Sequence, residues 1–270
     1  MIAILQAIFL GVVEGLTEFL PISSTGHLLV AEEAIGYQDA AKTFTVVIQL
    51  GAIAAVIWYF RKDLWQRLTS LLRQEKSAVR FLTNLVIATA PAAFIGLLLE
   101  SSFDSYATLP VIALALIWGG FAIIYIEDTH HARSKSKEIQ LEAITRSQAL
   151  KIGLAQILAL VPGVSRSGAT IMGGLLSKLN RVTATAFSFY LSIPIIVMAG
   201  TYKLVKGWDD LSSISGGATA LALGTFVSFV SALVAVGWLL KYVSTHNFKP
   251  FAYYRIALGV VLLIVSVMTR

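Results

Sequence analysis

The chain has 270 residues, of which 57% are hydrophobic and only 13% charged, with a mean hydropathy of +0.78. A soluble domain carries about 25% charged residues and cannot hide so much apolar surface in one core, so the composition excludes a water-soluble globule and implies a polytopic helical membrane protein. The lack of cysteine excludes disulfides, thiolate metal sites and a cysteine nucleophile, and the net charge of +6 is concentrated in loops between apolar runs, where lipid phosphate and topology account for it better than nucleic acid.

The first residues, Met1 to Val13, are apolar but have no basic leader, and no small-residue cleavage site precedes Glu14, so no removable signal peptide is expected. Region 1–36 is interrupted by Pro21-Ile22-Ser23-Ser24-Thr25-Gly26. Its arms are short for full crossings, which predicts a re-entrant hairpin that leaves the membrane on the side it entered. Apolar spans follow at 43–60, 81–99 and 108–127. A second interrupted region, 149–181, breaks at Pro162-Gly163-Val164-Ser165-Arg166-Ser167-Gly168, and three more spans occupy 184–203, 216–239 and 251–268.

The two interrupted regions look like copies. Ser23, Thr25 and Gly26 lie 142 residues before Ser165, Ser167 and Gly168, and Phe44 lies 143 before Phe187. Each half then has one hairpin and three crossings. An odd number of crossings makes the second half enter from the opposite face, an inverted-topology repeat whose two breaks meet near mid-membrane. The expected fold is therefore all-α: six transmembrane helices plus two re-entrant hairpins in one membrane domain, with a first repeat at 1–127, a cytoplasmic loop at 128–148 and a second repeat at 149–270. Arg61, Lys62, Arg67, Arg73, Lys76 and Arg80 crowd the 61–80 loop, and Arg133, Lys135, Lys137 and Arg146 the 128–150 loop. The alternate loops hold only Lys206. The positive-inside rule places the basic loops in the cytoplasm and both termini outside, with the first hairpin opening outward. Trp58, Tyr59, Trp65, Trp118 and Trp208 read as interfacial anchors.

Glu14 and Glu18, four apart on an apolar helix, project from one face. Such a pair shares a proton, holds a cation or flanks a reacting group, unless it marks a water-exposed helix end. A charge at mid-helix costs roughly 2.5–3.5 kcal/mol to insert, so Glu14, Glu18 and Arg166 together would cost about 8–10 and should face one another or a wet cavity. Ser23, Ser24, Thr25 and Gly26, with Ser165, Ser167, Gly168 and Thr170, have the composition of two anion cradles at helix starts. The plainer reading of either break is a serine cap with a proline stop. Arg166 stands where the first break has Ser24, and its fork suits phosphate oxygens. His27, one turn beyond Ser24, is placed to take a hydroxyl proton, with a glutamate to orient it, though a lone histidine is also a common structural residue. His130, His131 and His246 read as solvated. Gly11 and Gly15 form a GxxxG spacing that suits hairpin packing or a homodimer.

Two stretches carry a resemblance: Glu14-Gly-Leu-Thr-Glu18-Phe-Leu-Pro-Ile-Ser-Ser-Thr-Gly-His27 and Pro162-Gly-Val-Ser-Arg-Ser-Gly-Ala-Thr170. With Lys42-Thr-Phe44, Gln49-Leu-Gly51 and Tyr254-Arg255, they make the chain similar over essentially its whole length to the undecaprenyl-diphosphate phosphatases, the bacterial membrane enzymes also called bacitracin-resistance proteins. The resemblance implies hydrolysis of a polyprenyl diphosphate lipid, undecaprenyl diphosphate, to undecaprenyl phosphate and inorganic phosphate at a site reached from the outer face of the bacterial inner membrane. It also implies recycling of the carrier for peptidoglycan synthesis, bacitracin resistance on overproduction, and dependence on a divalent cation. Carried over, Glu14 and Glu18 are the acidic pair, which with Mg²⁺ or Ca²⁺ would form the metal site. Ser24 and His27 are nucleophile and base, and Arg166 is the phosphate clamp. Attack by Ser24 and attack by a water activated by His27 both remain open. Two other readings compete: a lipid-phosphate or anion transporter, for which inverted repeats with broken helices are also typical, and a type 2 phosphatidic-acid phosphatase. The latter would need a histidine after Arg166, where none occurs before His246.

Overall fold

A computed structural model describes residues 1–37, 43–105, 107–130, 141–206 and 214–268. Lys42, His131, Arg133, Lys135, Lys137 and Trp208 lie outside the described residues. Those described form helices and turns without strands: α1 (Ile2–Thr17), α2 (Ser24–Ile35), α3 (Thr43–Tyr59), α4 (Arg61–Leu72), α5 (Lys76–Ser105), α6 (Leu109–His130), α7 (Arg146–Ile157), α8 (Arg166–Leu176), α9 (Arg181–Lys206), α10 (Gly217–Val243) and α11 (Lys249–Met268).

Helices α5, α6, α9, α10 and α11 are long and apolar enough to cross a bilayer, and α3 with α4 forms a sixth candidate bent by 72°. Leu97, Trp118, Phe226 and Ile264 stand exposed on the outer surface, where only lipid could cover them. In α9 two thirds of the apolar window is buried, against a third or less in the other long spans, so α9 is the central post. Phe187, Phe189 and Tyr190 of α9 anchor the largest core cluster.

The 61–80 stretch, expected as a basic loop, contains α4. Leu64, Leu68 and Leu71 recur at helical spacing among charged residues, which suits a helix lying at the membrane surface. Asp63 on α4 accepts hydrogen bonds from Arg67 (2.6 Å) and the Tyr190 hydroxyl, and Arg67 reaches Glu142 at 2.8 Å. These bonds pin α4 to the central post.

Both expected hairpins are present, as α1–α2 and α7–α8. Helix α1 packs on α10 as α7 packs on α5, α3 packs on α10 as α9 packs on α5, and α6 packs on α11. Exchanging the halves of the chain exchanges these pairs. Glycine makes the corresponding close approaches. A Cβ on Gly11 would strike the Gly224 carbonyl, and one on Gly153, 142 residues later, would lie 2.6 Å from the Ala88 carbonyl oxygen. Gly15 abuts Ser228 and Ser231 in the same way, so the GxxxG face of α1 is taken up by α10 within the chain.

Candidate active site

Each hairpin turns on a serine with the same uncommon backbone. Ser23 has φ 73° and its Oγ accepts from Gly26 N at 3.4 Å; Ser165 has φ 74° and its Oγ accepts from Gly168 N at 3.1 Å. A side chain at positive φ is strained unless its surroundings hold it, and here an N-cap bond holds both. The sequence suggested cradles of free donors, but several of these groups are engaged in holding the turns. Ser167 donates to the Leu20 carbonyl at 2.8 Å and meets Ser165 Oγ at 3.0 Å, tying the second turn to the first. Thr170 bonds the Arg166 carbonyl (2.9 Å) and Ser188 Oγ (2.6 Å). Thr25 is exposed.

Between the two turns the charged residues meet. Helix α1 ends before Pro21, at Thr17, and delivers Glu18 into the break. One carboxylate oxygen of Glu18 accepts from Arg166 Nη2 at 2.9 Å, and the other accepts from Ser24 Oγ at 2.6 Å. The pair bridges residues 148 apart in sequence, and both side chains are nearly buried. Arg166 also donates to the Ser188 carbonyl at 3.2 Å and lies 5.7 Å from the Phe19 ring centre, while its Nε–H is buried without a partner. Glu14, one turn back, is buried, and its Oε1 has no hydrogen-bond partner. An orphaned carboxylate oxygen in a buried site calls for a proton or a cation. Among the described residues no three His, Asp or Glu side chains gather. The free Oε1 of Glu14 is the oxygen a divalent cation would take here, with Glu18 one turn further along the chain.

His27 is arranged differently from the expectation. Its Nδ1 lies 2.7 Å from the Ser23 carbonyl and its Nε2 lies 2.7 Å from the Tyr254 hydroxyl. Both ring nitrogens are thus engaged, and the partner of Ser24 is Glu18 rather than His27. A helical carbonyl four residues back competes with a hydroxyl three residues back, and the carbonyl has won.

Glu18 and Arg166 also form the head of a cavity of about 360 Å³ between α5, the end of α7 and α9. Its walls are mostly apolar, including Ala92, Gly96, Leu160, Ile195 and Ala199, and Tyr202 and Lys203 line it near the end of α9. Gln156 adds a buried carbonyl oxygen without a partner.

A family model described as "Bacitracin resistance protein BacA" matches residues 7–261. The chain belongs to this family. Undecaprenyl-diphosphatase 1 of Burkholderia ambifaria is 50% identical over 268 residues, covering 98% of this chain and 96% of that protein. Undecaprenyl-diphosphatase 1 of Burkholderia cenocepacia is also 50% identical, with the same coverage, and undecaprenyl-diphosphatase of Burkholderia mallei is 48% identical over 268 residues.

In this BacA-family chain, Tyr254 and Arg255 carry more than the sequence reading gave them. Arg255 is 1% exposed and donates to the Pro21 carbonyl (3.1 Å) in the first break, to those of Gly163 (3.2 Å) and Val164 (2.9 Å) in the second, and to Ala115 of α6 (3.2 Å). A Cβ on Gly119 would collide with its guanidinium. The available signal was an arginine inside an apolar span, which by cost alone marks a site.

Proposed function

We propose that this chain hydrolyses undecaprenyl diphosphate to undecaprenyl phosphate and inorganic phosphate, recycling the lipid carrier for peptidoglycan synthesis in the bacterial inner membrane. One observation carries the reading: Glu18 grips the Ser24 hydroxyl and the Arg166 guanidinium together, at the head of an apolar cavity. A hydroxyl on a carboxylate beside an arginine suits attack on phosphorus, because phosphoryl transfer needs mainly positioning and charge neutralisation. The names of the relatives supply the lipid.

In this reading Ser24 Oγ attacks the terminal phosphorus and its hydrogen passes to Glu18. The bridging P–O bond breaks and undecaprenyl phosphate leaves, while Arg166 holds the equatorial oxygens. Water then attacks the phosphoserine, Glu18 returns its hydrogen to Ser24 Oγ, and inorganic phosphate departs carrying both hydrogens of the water. Ser23, Thr25, Gly26, Ser165, Ser167, Gly168 and Thr170 shape the two helix starts that frame the phosphates. Bound between Glu14 and Glu18, a divalent cation, Mg²⁺ or Ca²⁺, would neutralise phosphate charge.

The halves are read as an inverted-topology repeat, supported by the exchange of helix pairs and the matched serine turns. Loop charge supports cytoplasmic basic loops, external termini and a site opening outward. A homodimer, if formed, would need a face other than Gly11 and Gly15.

The test is phosphate release from undecaprenyl diphosphate by purified protein in detergent, with and without chelator. The parent should release phosphate, and chelator should suppress release until Mg²⁺ or Ca²⁺ is restored. Arg166→Ala should lose about 10²-fold or more. A parent without hydrolysis would favour transport instead.

A further inference from the structure

We propose that a basic cleft between the starts of α5 and α7, remote in function from the hydrolytic site, binds the headgroup of an anionic phospholipid. The cleft has a volume of about 770 Å³, and its lining includes Lys76, Arg80, Thr83, Thr145, Arg146 and Ser147. Three cations therefore share one hollow. Among the described residues no ion pair joins any of them to an acid: Glu142 is taken by Arg67 at 2.8 Å, and Glu75 does not line the cleft. Arg80 is held in place without being neutralised. Its Nε and Nη2 donate to the Ile144 carbonyl at 3.2 and 3.1 Å, an uncharged partner shared with Asn84 at 2.8 Å. Thr145 caps α7 by accepting from Gln148 N at 3.2 Å, so Arg146 and Ser147 fill the first turn, where N–H groups have no helical acceptor and the dipole is positive. The start of α7 alone would be an ordinary cap. Three uncompensated cations beside it make the hollow an anion receptor.

The surface below the cleft decides which anion. Lys76 opens the span formed by α5, so the cations stand where a span meets the headgroup layer. Arg146, Leu150 and Leu154 follow at four-residue spacing on α7, while Val79, Leu82 and Val86 run down α5 from the same cleft, and the two helices pack together. These five apolar side chains are exposed. One surface thus offers cations for a phosphodiester and, beneath them, an apolar strip for acyl chains. A free phosphate would use only the first of these.

The experiment titrates purified full-length protein in detergent with dioleoylphosphatidylglycerol and counts bound lipid by native mass spectrometry. Lys76 and Arg146 are exposed, so replacing both by glutamine spares the fold, and Arg80, which braces the Ile144 carbonyl, is kept. Lys76→Gln with Arg146→Gln should weaken lipid binding about thirtyfold. Lys62→Gln with Lys241→Gln removes the same charge from α4 and the end of α10, and should leave binding within about twofold of the parent. Dioleoylphosphatidylcholine should not compete for the site, and an excess of inorganic phosphate should not displace the lipid. Equal losses in the two double variants would overturn the proposal in favour of diffuse surface charge, and parental binding by the Lys76→Gln, Arg146→Gln protein would overturn it outright. Competition by phosphatidylcholine, or displacement by phosphate, would refute a site built for an anionic lipid. Bound lipid is the readout, so each of these results is independent of whether the chain hydrolyses undecaprenyl diphosphate.

Discussion

The pairing at Glu18 makes a sharp prediction for Glu18→Gln, which keeps the volume and the planar end group while removing the charge. An amide offers one acceptor and one donor. Its oxygen can still receive Arg166 Nη2 at the 2.9 Å position, and its NH₂ then faces Ser24 at the 2.6 Å position. Both contacts survive, but the second reverses: Ser24 Oγ becomes the acceptor and its hydrogen must point elsewhere. The protein loses the difference between charge-assisted and neutral bonds, about 1–3 kcal/mol, a modest fall in thermal stability measurable by a melting curve in detergent. Turnover should fall far more, by about 10²–10⁴-fold, since the proton acceptor for Ser24 is gone. Glu18→Asp draws the carboxylate back by a methylene, opening both contacts, and should be similarly slow despite keeping its charge. The assay is initial-rate phosphate release at saturating substrate. A Glu18→Gln protein that turns over like the parent would refute the reasoning.

Ser24→Ala should reduce turnover about 10³-fold if serine is the nucleophile; parental rates would assign attack to a water activated by His27. Gly15→Ala and Gly153→Ala press a methyl onto the backbones of α10 and α5 and should each destabilise the fold by about 1–3 kcal/mol in thermal unfolding. Glu127, buried, accepts from Phe248 N at 2.9 Å and takes Arg181 through both oxygens at 2.5–3.1 Å. Glu127→Leu should cost about 3–5 kcal/mol by stranding Arg181, and adding Arg181→Leu should restore part of that loss.

The membrane architecture was legible because bilayer thickness forces a length on each apolar run, and the two breaks were legible because proline, serine and glycine cannot continue a helix. The meeting of Arg166 with the acidic pair followed from cost, since charges stranded in apolar helices must find one another. Sequence could not say that Arg166 takes Glu18 and leaves Glu14 short of a partner, because one helical turn of register is decided by packing. Nor could it rank the partners of His27: position three back offers a hydroxyl and position four back a carbonyl, both within reach, and the choice depends on the positive-φ backbone of Ser23. Helix α4 was readable in principle from Leu64, Leu68 and Leu71, but the density of basic residues masked the pattern. Tyr254 acquires meaning only through a contact across most of the chain.

Arg255 sits on α11, 234 and 92 residues from Pro21 and Gly163, yet it gathers carbonyls from the turns at both. Ser167 and the Glu18–Arg166 pair join the two turns to each other, and Arg255 adds the ties to α6 and α11. A chain cut before α11 loses the guanidinium that braces both turns at once, and should release no phosphate even where the rest of the bundle forms.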